Sequence, residues 1–435
     1  MTFDFRRRRP TGGRQKRADG LRLEPRVDTT VEAPGAAEEV ACHDCAQVQL
    51  LPPLGPHALA RCWRCDAVLD ARELPDSTPL ALALAGLFTG LLANAFPILE
   101  VSLAGRVRSN LLVSGPRVLI ADHFPGLAVL VAAFSIVFPL VWLASLSYVL
   151  LHVRARTRSR ELGPLFRFAE RLRPWAMTEV YVIGGYVAYT RLEELGRVSI
   201  GTGGWAVAAT AFLMFLVDQA LDRRHVWDSI QPPRAVRPGP TLACPQCDLV
   251  TGLSEGKRCP RCRTPLWRRK RASLARTVAL VIAGAALYLP ANILPIMAVG
   301  RLGRPNPDTI LTGIAELVRR GYWPLALIVL FASVLVPVLK LVSLTWFVVS
   351  VRQRWRWALR FRTRLYRVVD GIGRWSNIDV FMISLLVALV QFRVLATVEA
   401  RAGAVAFAAV VVITMFAAEA FDPRLMWDAV EGRTE

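Results

Sequence analysis

The chain has 435 residues, 54% of them hydrophobic, and a net charge of +20 from 54 basic against 34 acidic side chains. So apolar a composition excludes an ordinary soluble protein and points to a polytopic membrane protein. All the basic residues except Lys16, Lys257, Lys270 and Lys340 are arginine. They cluster between apolar runs, as the positive-inside rule requires, so no nucleic-acid partner is expected.

Residues 1–40 contain Arg6 to Arg9 and several Pro and Gly but no apolar h-region. They read as a disordered cytoplasmic tail, not a signal peptide. Four Cys-x-x-Cys pairs follow: Cys42/Cys45 with Cys62/Cys65, then Cys244/Cys247 with Cys259/Cys262, and no cysteine lies outside them. One such turn places two thiolates on one side of an ion, and a second completes a tetrahedral four-sulfur site with no open position. Two structural zinc sites are therefore expected, in ribbons at 41–72 and 241–268, with spacers of 16 and 11 residues. Rubredoxin-like iron would use the same ligands, and dithiol redox chemistry would need one accessible pair, so both remain alternatives. Thiols confined to quartets fit the reducing cytoplasm better than a secreted disulfide framework.

Eight apolar stretches are long enough to cross a bilayer as helices: 79–101, 125–153, 177–192, 203–221, 274–299, 322–351, 380–395 and 402–421. Residues 154–173 hold seven Arg and residues 352–374 hold eight, whereas the alternate loops mix Arg with Glu. This bias places both termini, both ribbons and the basic loops in the cytoplasm. The expected order is tail 1–40, ribbon 41–72, four-helix bundle 78–228, linker 229–240, ribbon 241–268, four-helix bundle 273–428 and tail 429–435.

The halves repeat. Ala93-Asn94-Ala95-Phe96-Pro97-Ile98 aligns with Ala291-Asn292-Ile293-Leu294-Pro295-Ile296 at an offset of 198, and Pro139 with Pro337 at the same offset. At an offset of 200, Trp175 to Tyr181 aligns with Trp375 to Phe381, and Asp222 to Asp228 with Asp422 to Asp428. Four spans per half is an even number, so the repeats are parallel. Pro97, Pro139, Pro290, Pro295 and Pro337 are read as bends within spans.

Lys340 stands about 12 residues from Arg352 inside a span, hence about 18 Å deep at 1.5 Å per residue. At that depth it must face protein or water and have a partner. Glu194, Thr414 and Glu419 are the candidates, for binding a lipid headgroup or carrying protons. The repeat counterpart of Lys340 is Trp142, so the ion belongs to the second half only. Glu179 and Asp379, in the first turns of their spans, read as carboxylates favoured by the helix dipole, and Trp175 and Trp375 beside them as interface anchors. His225 has Leu425 as its counterpart, a departure between the halves. No P-loop is present. The histidines His43, His57, His123, His152 and His225 give no pair within a span for haem.

Tandem four-cysteine ribbons resemble the paraquat-inducible protein A family when each precedes four spans carrying Ala-Asn-x-x-Pro-Ile, a Trp-x-x-x-Glu/Asp-Val-Tyr/Phe entry and an Asp-x-Arg-x-x-Trp-Asp exit. The likeness covers about residues 40 to 430. The second half, with Asp308 to Gly313, Val336-Pro337 and Lys340, is similar to the LetA (YebS) group in particular. The resemblance implies a non-enzymatic, multi-pass component of the bacterial inner membrane. It would pass phospholipid to or from a periplasmic MCE-domain tunnel protein and support envelope integrity. A membrane redox or stress-response protein using its dithiols is the alternative.

Overall fold

The computed structural model describes residues 38–51, 58–71, 77–103, 106–157, 159–193, 196–232, 241–301, 304–390 and 396–432. Residues 1–37 of the expected tail, 233–240 of the expected linker, 433–435 and Glu194 lie outside the described residues.

The first half opens with two hairpins, β1 (Glu38–Ala41) with β2 (Val48–Leu51) and β3 (Leu59–Arg61) with β4 (Val68–Ala71), each carrying a Cys-x-x-Cys turn at its tip. Helix α1 (Ser77–Ala95) follows, and after it β5 (Leu99–Leu103), β6 (Arg106–Asn110), α2 (Ser114–Ala121), α3 (Pro125–Ala132) and α4 (Phe138–Arg154). The half closes with α5 (Leu162–Leu172), α6 (Thr178–Glu193), β7 (Arg197–Ile200), α7 (Thr202–Ala220) and α8 (Arg223–Ile230). The second half repeats this order. Its ribbon contains β8 (Leu242–Ala243) and β9 (Val250–Thr251), and then come α9 (Ser273–Ile293), β10 (Met297–Arg301), β11 (Arg304–Asp308), α10 (Ile310–Arg319), α11 (Trp323–Val329) and α12 (Val336–Arg352). It ends with α13 (Leu359–Ile372), α14 (Ile378–Leu389), β12 (Ala396–Ala400), α15 (Ala402–Ala420) and α16 (Leu425–Glu431). Each helix thus has its equivalent eight places later.

Seven helical stretches among the described residues are long and apolar enough to cross a membrane, against eight expected. The third, α6, falls short at 16 residues, and the seventh, α14, has only 12 and reaches the length only when joined to α13. The expected spans 79–101 and 274–299 overran their helices, because Pro97 and Pro295 do not bend a span but end one. A residue before proline is driven out of the α region, and α1 and α9 stop at Ala95 and Ile293. The chain then turns extended. Leu99 and Val101 point inward while Glu100 and Ser102 stay partly exposed, the period of two that a half-buried strand demands. The result is a three-stranded antiparallel sheet in each half, β6-β5-β7 and β11-β10-β12, at the end of the bundle opposite the ribbons.

Each sheet is tied to the next span through backbone that leaves no room for a side chain. Gly203 N donates to Pro97 O at 2.8 Å and Gly403 N to Pro295 O at 3.0 Å. A Cβ on either glycine would come within 2.1 Å of Phe96 O or 2.5 Å of Leu294 O. Pro139 and Pro337, by contrast, do lie inside long helices. Each follows a π-helical segment, Ala133–Val137 or Leu330–Leu335, where the widened turn accommodates the missing N–H. Pro290 remains inside α9.

The halves meet along α6 and α14. Asn377 Nδ2 donates to Met177 Sδ at 3.0 Å, and Tyr181 packs edge-on against Phe381 at 5.4 Å. Equivalent residues touching one another is the signature of a two-fold relation. The relation is imperfect, for every residue of α14 is buried, whereas α6 keeps a partly exposed face. One core cluster spans this junction, and two others lie toward the ribbons.

Candidate functional site

The four cysteine turns share one backbone design. The first cysteine of each accepts, through its carbonyl, the N–H of the residue after the second cysteine, as from Ala46 to Cys42 at 2.9 Å and from Arg263 to Cys259 at 2.9 Å. That following residue, Ala46, Asp66, Asp248 or Arg263, adopts positive φ between 53° and 64°. None is glycine, so the left-handed turn is not marked in the sequence. The eight sulfurs form two quartets in which all ligand atoms lie within 4.8 Å of one another. Cys42 Sγ is 3.5 Å from Cys65 Sγ, Cys45 is 3.6 Å from Cys62, Cys244 is 3.4 Å from Cys262, and Cys247 is 3.6 Å from Cys259. These distances approach the edge, about 3.8 Å, of a tetrahedron built on metal–sulfur bonds of about 2.3 Å. Hydrogen bonding from Cys42 and the facing sulfurs, with burial, holds the Cys45 thiol well above its ordinary range, and Cys247 is raised in the same way by Cys244. Four sulfurs in so small a space suit a cation, whose binding would displace the protons of the raised thiols, and the quartets fit a tetrahedral metal ion.

Each ribbon docks on the bundle of the other half. Ribbon 1 packs on the second: Cys42, Cys45, Cys62 and Cys65 share a core with Phe347, Tyr366, Phe421 and Trp427. Ribbon 2 packs on the first, against Leu143, Phe166 and Trp227. The contacts are equivalent on both sides. Arg367 donates to Cys65 O at 2.7 Å, and its counterpart Arg167 donates to Cys262 O at 2.8 Å. Arg64 pairs with Glu431 and lies over the Trp427 ring at 4.4 Å, while its counterpart Arg261 pairs with Asp228 at 2.8 Å. In the first bundle, Glu170 receives a hydrogen bond from Gln246 of ribbon 2 at 3.1 Å, and burial pushes its carboxyl up to about 7.

Lys340 is buried on α12, and its side chain fills the space over Gly373, where a Cβ would stand 2.1 Å from Nζ. The carboxylate acting on it is Asp370 of α13, within the basic segment 352–374. The expected partners are placed otherwise. Thr414 is buried on α15 and donates to Val411 O of its own helix at 3.0 Å. Glu419 is exposed, and its carbonyl accepts the Lys270 ammonium at 2.5 Å. Glu194 is outside the described residues.

Asp379 stands in the first turn of α14, as the helix-dipole reading expects. It is 1% exposed at the junction of the halves, with Ser333 and Arg191 as its polar neighbours. Glu179 is only partly buried and pairs with Arg173 at 2.5 Å. Asp370 and Gly373 were the residues missed. The signal was present in the repeat, since Trp142 and Arg173 of the first half align with Lys340 and Gly373 at offsets of 198 and 200.

The profile of a family described as paraquat-inducible protein A matches the chain twice, over residues 77–231 and 274–431. The chain is 35% identical over 409 residues to the intermembrane transport protein PqiA of Escherichia coli K12, covering 90% of this chain and 96% of that protein. It is 32% identical over 399 residues to the lipophilic envelope-spanning tunnel protein A of the same organism, covering 90% and 91%. A probable intermembrane transport protein of Haemophilus influenzae is 27% identical over 303 residues, covering 68% and 70%. No solved structure matches the chain.

Proposed function

The chain belongs to the paraquat-inducible protein A family, and on that premise we propose that it is the inner-membrane subunit of an intermembrane lipid transport system. It would pass phospholipid to or from a periplasmic tunnel protein of the MCE-domain type and support envelope integrity, without enzymatic chemistry of its own. The observation that carries this reading is full-length similarity to relatives named for intermembrane transport and for an envelope-spanning tunnel, borne by two membrane bundles.

The two quartets are assigned to zinc as structural sites. The eight cysteines are between 0% and 6% exposed, which suits closed sites and opposes a dithiol that must meet substrate. When bound, the ion would neutralise the thiolates and fix the ribbons, and the ribbons would brace the bundles from the cytoplasm. The Arg-rich segments that contact the ribbons, 154–173 and 352–374, support the placing of ribbons and termini on that side.

Lys340 is assigned the headgroup or proton role within the second bundle, with Asp370 as its carboxylate neighbour and Thr414 on the adjoining helix. Purified protein reconstituted with its periplasmic partner is expected to transfer fluorescent phospholipid to acceptor vesicles, and Lys340→Ala is expected to stop transfer without loss of metal. Undiminished transfer by Lys340→Ala removes the lysine from the mechanism. Failure to co-purify phospholipid or an MCE-domain partner while the protein stays folded removes the function itself.

A further inference from the structure

A cavity of about 520 Å³ lies at the ribbon-side end of the first bundle, between the last turns of α4 and α7 and helix α8. Its size is within the range of about 300–1,000 Å³ typical of small-ligand sites. His152, Arg154, Arg156, Thr157, His225 and Ser229 line it; the Thr157 hydroxyl donates to His152 O at 3.1 Å and the Ser229 hydroxyl meets His225 Nε2 at 3.4 Å. Arg154 ends α4, and Arg156 turns the chain back with φ of 52°; both are exposed residues that line the cavity. Neither arginine has a carboxylate partner among the described residues. The one acid in the lining, Asp222, is engaged as the cap of α8, accepting His225 N–H at 2.9 Å. His152 is held by Nδ1 to Tyr148 O at 2.9 Å, which leaves Nε2 available to a ligand.

The floor is apolar, formed by Leu150, Val153 and Ile230. Tyr148 and Leu151, beside it on α4, are exposed in the way of residues that face lipid. A cationic rim over an apolar floor, at the end of membrane-crossing helices, matches a phosphodiester headgroup above its glycerol and acyl chains. The corresponding place in the second half keeps the two arginines, as Arg352 and Arg354, but not the two histidines. Ser350 stands for His152 and turns its hydroxyl to Phe347 O at 2.8 Å, and Leu425 stands for His225 and is 3% exposed.

We propose that this cavity binds the phosphate-bearing headgroup of an anionic glycerophospholipid from the leaflet on the ribbon side, at a site separate from Lys340 and confined to the first half. The site requires no transport activity, so it stands apart from the function proposed above.

The test uses the full chain in phosphatidylcholine nanodiscs doped with spin-labelled phosphatidylglycerol or spin-labelled phosphatidylcholine, reading the motionally restricted fraction by electron paramagnetic resonance. The wild type is expected to restrict phosphatidylglycerol preferentially. Arg154→Gln with Arg156→Gln should cut that preference about tenfold. His152→Ser with His225→Leu, which installs residues the second half already accommodates, should cut it about threefold. Metal content and gel-filtration profile report folding. Excess inorganic phosphate should leave the restricted lipid in place. Wild-type preference in both double variants, or complete displacement by phosphate, overturns the assignment.

Discussion

In the first half the guanidinium of Arg173 lies 4.9 Å from the centre of the Trp142 ring and pairs with Glu179 at 2.5 Å and Asp218 at 2.6 Å. In the second half the residue at the Trp142 position is Lys340 and the residue at the Arg173 position is Gly373. The cation has moved from one helix to the other, and glycine supplies the space it needs. Its surroundings changed as well. Ala418 replaces Asp218, and Asp379, the counterpart of Glu179, sits fully buried with neither oxygen in a well-formed hydrogen bond. The first half therefore holds a neutralised, stacked arginine that braces the bundle. The second holds a compact ammonium with fewer fixed partners, the state in which a lysine can exchange them.

The crossed ribbons offer the sharpest way to break this comparison. Structural zinc contributes on the order of 10 kcal/mol to the fold of a small ribbon. Cys65→Ser is expected to raise hydrogen exchange in α13 and α16 of the second half and leave α5 and α8 quiet, and Cys262→Ser should do the reverse. Loosening confined to each ribbon's own half would dissolve the crossed arrangement.

A smaller effect tests the exchanged cation. Gly373→Ala drives a Cβ into Lys340 Nζ, and overpacking of this kind costs about 1–3 kcal/mol, more if the lysine cannot move aside. Combining it with Lys340→Ala should recover most of the loss in thermal melts in detergent. Equal destabilisation in the single and double variants would show that the two positions do not share a space.

The smallest prediction concerns Glu170, whose carboxyl is raised by burial to about 7. A raised carboxyl favours the fold while it is protonated, so its contribution is present below the ordinary value of 4.5 and is lost as pH rises from there through about 7. Between pH 5 and pH 8 the wild type should lose up to about 2 kcal/mol more stability than Glu170→Gln, after discount for partial exposure. Parallel pH profiles for the two proteins would remove Glu170 from the docking of ribbon 2.

Much of the architecture was legible in the chain. Long uncharged runs dictate helices, paired Cys-x-x-Cys turns dictate four-sulfur clusters, and motifs recurring at offsets of 198 and 200 dictate two like halves. The sheets were hidden, because Leu99 to Leu103 and Met297 to Arg301 continue the apolar runs before them. Only the intervening Pro97 and Pro295 mark the change. The candidate site was half legible: Lys340 stood out as a charge in an apolar span, while Asp370 lay unremarked among arginines.

What the sequence determined alone were properties set by local spacing: thiolate quartets, apolar length, and the repeat whose imperfect match marks Lys340 against Trp142. What only the tertiary structure decided was which surfaces meet. The crossing of the ribbons, the meeting of Asn377 with Met177 and the burial of Asp379 join residues far apart in the chain, 302 positions for Arg367 and Cys65. Such pairs are selected by shape and charge in three dimensions, and no periodicity along the chain records them.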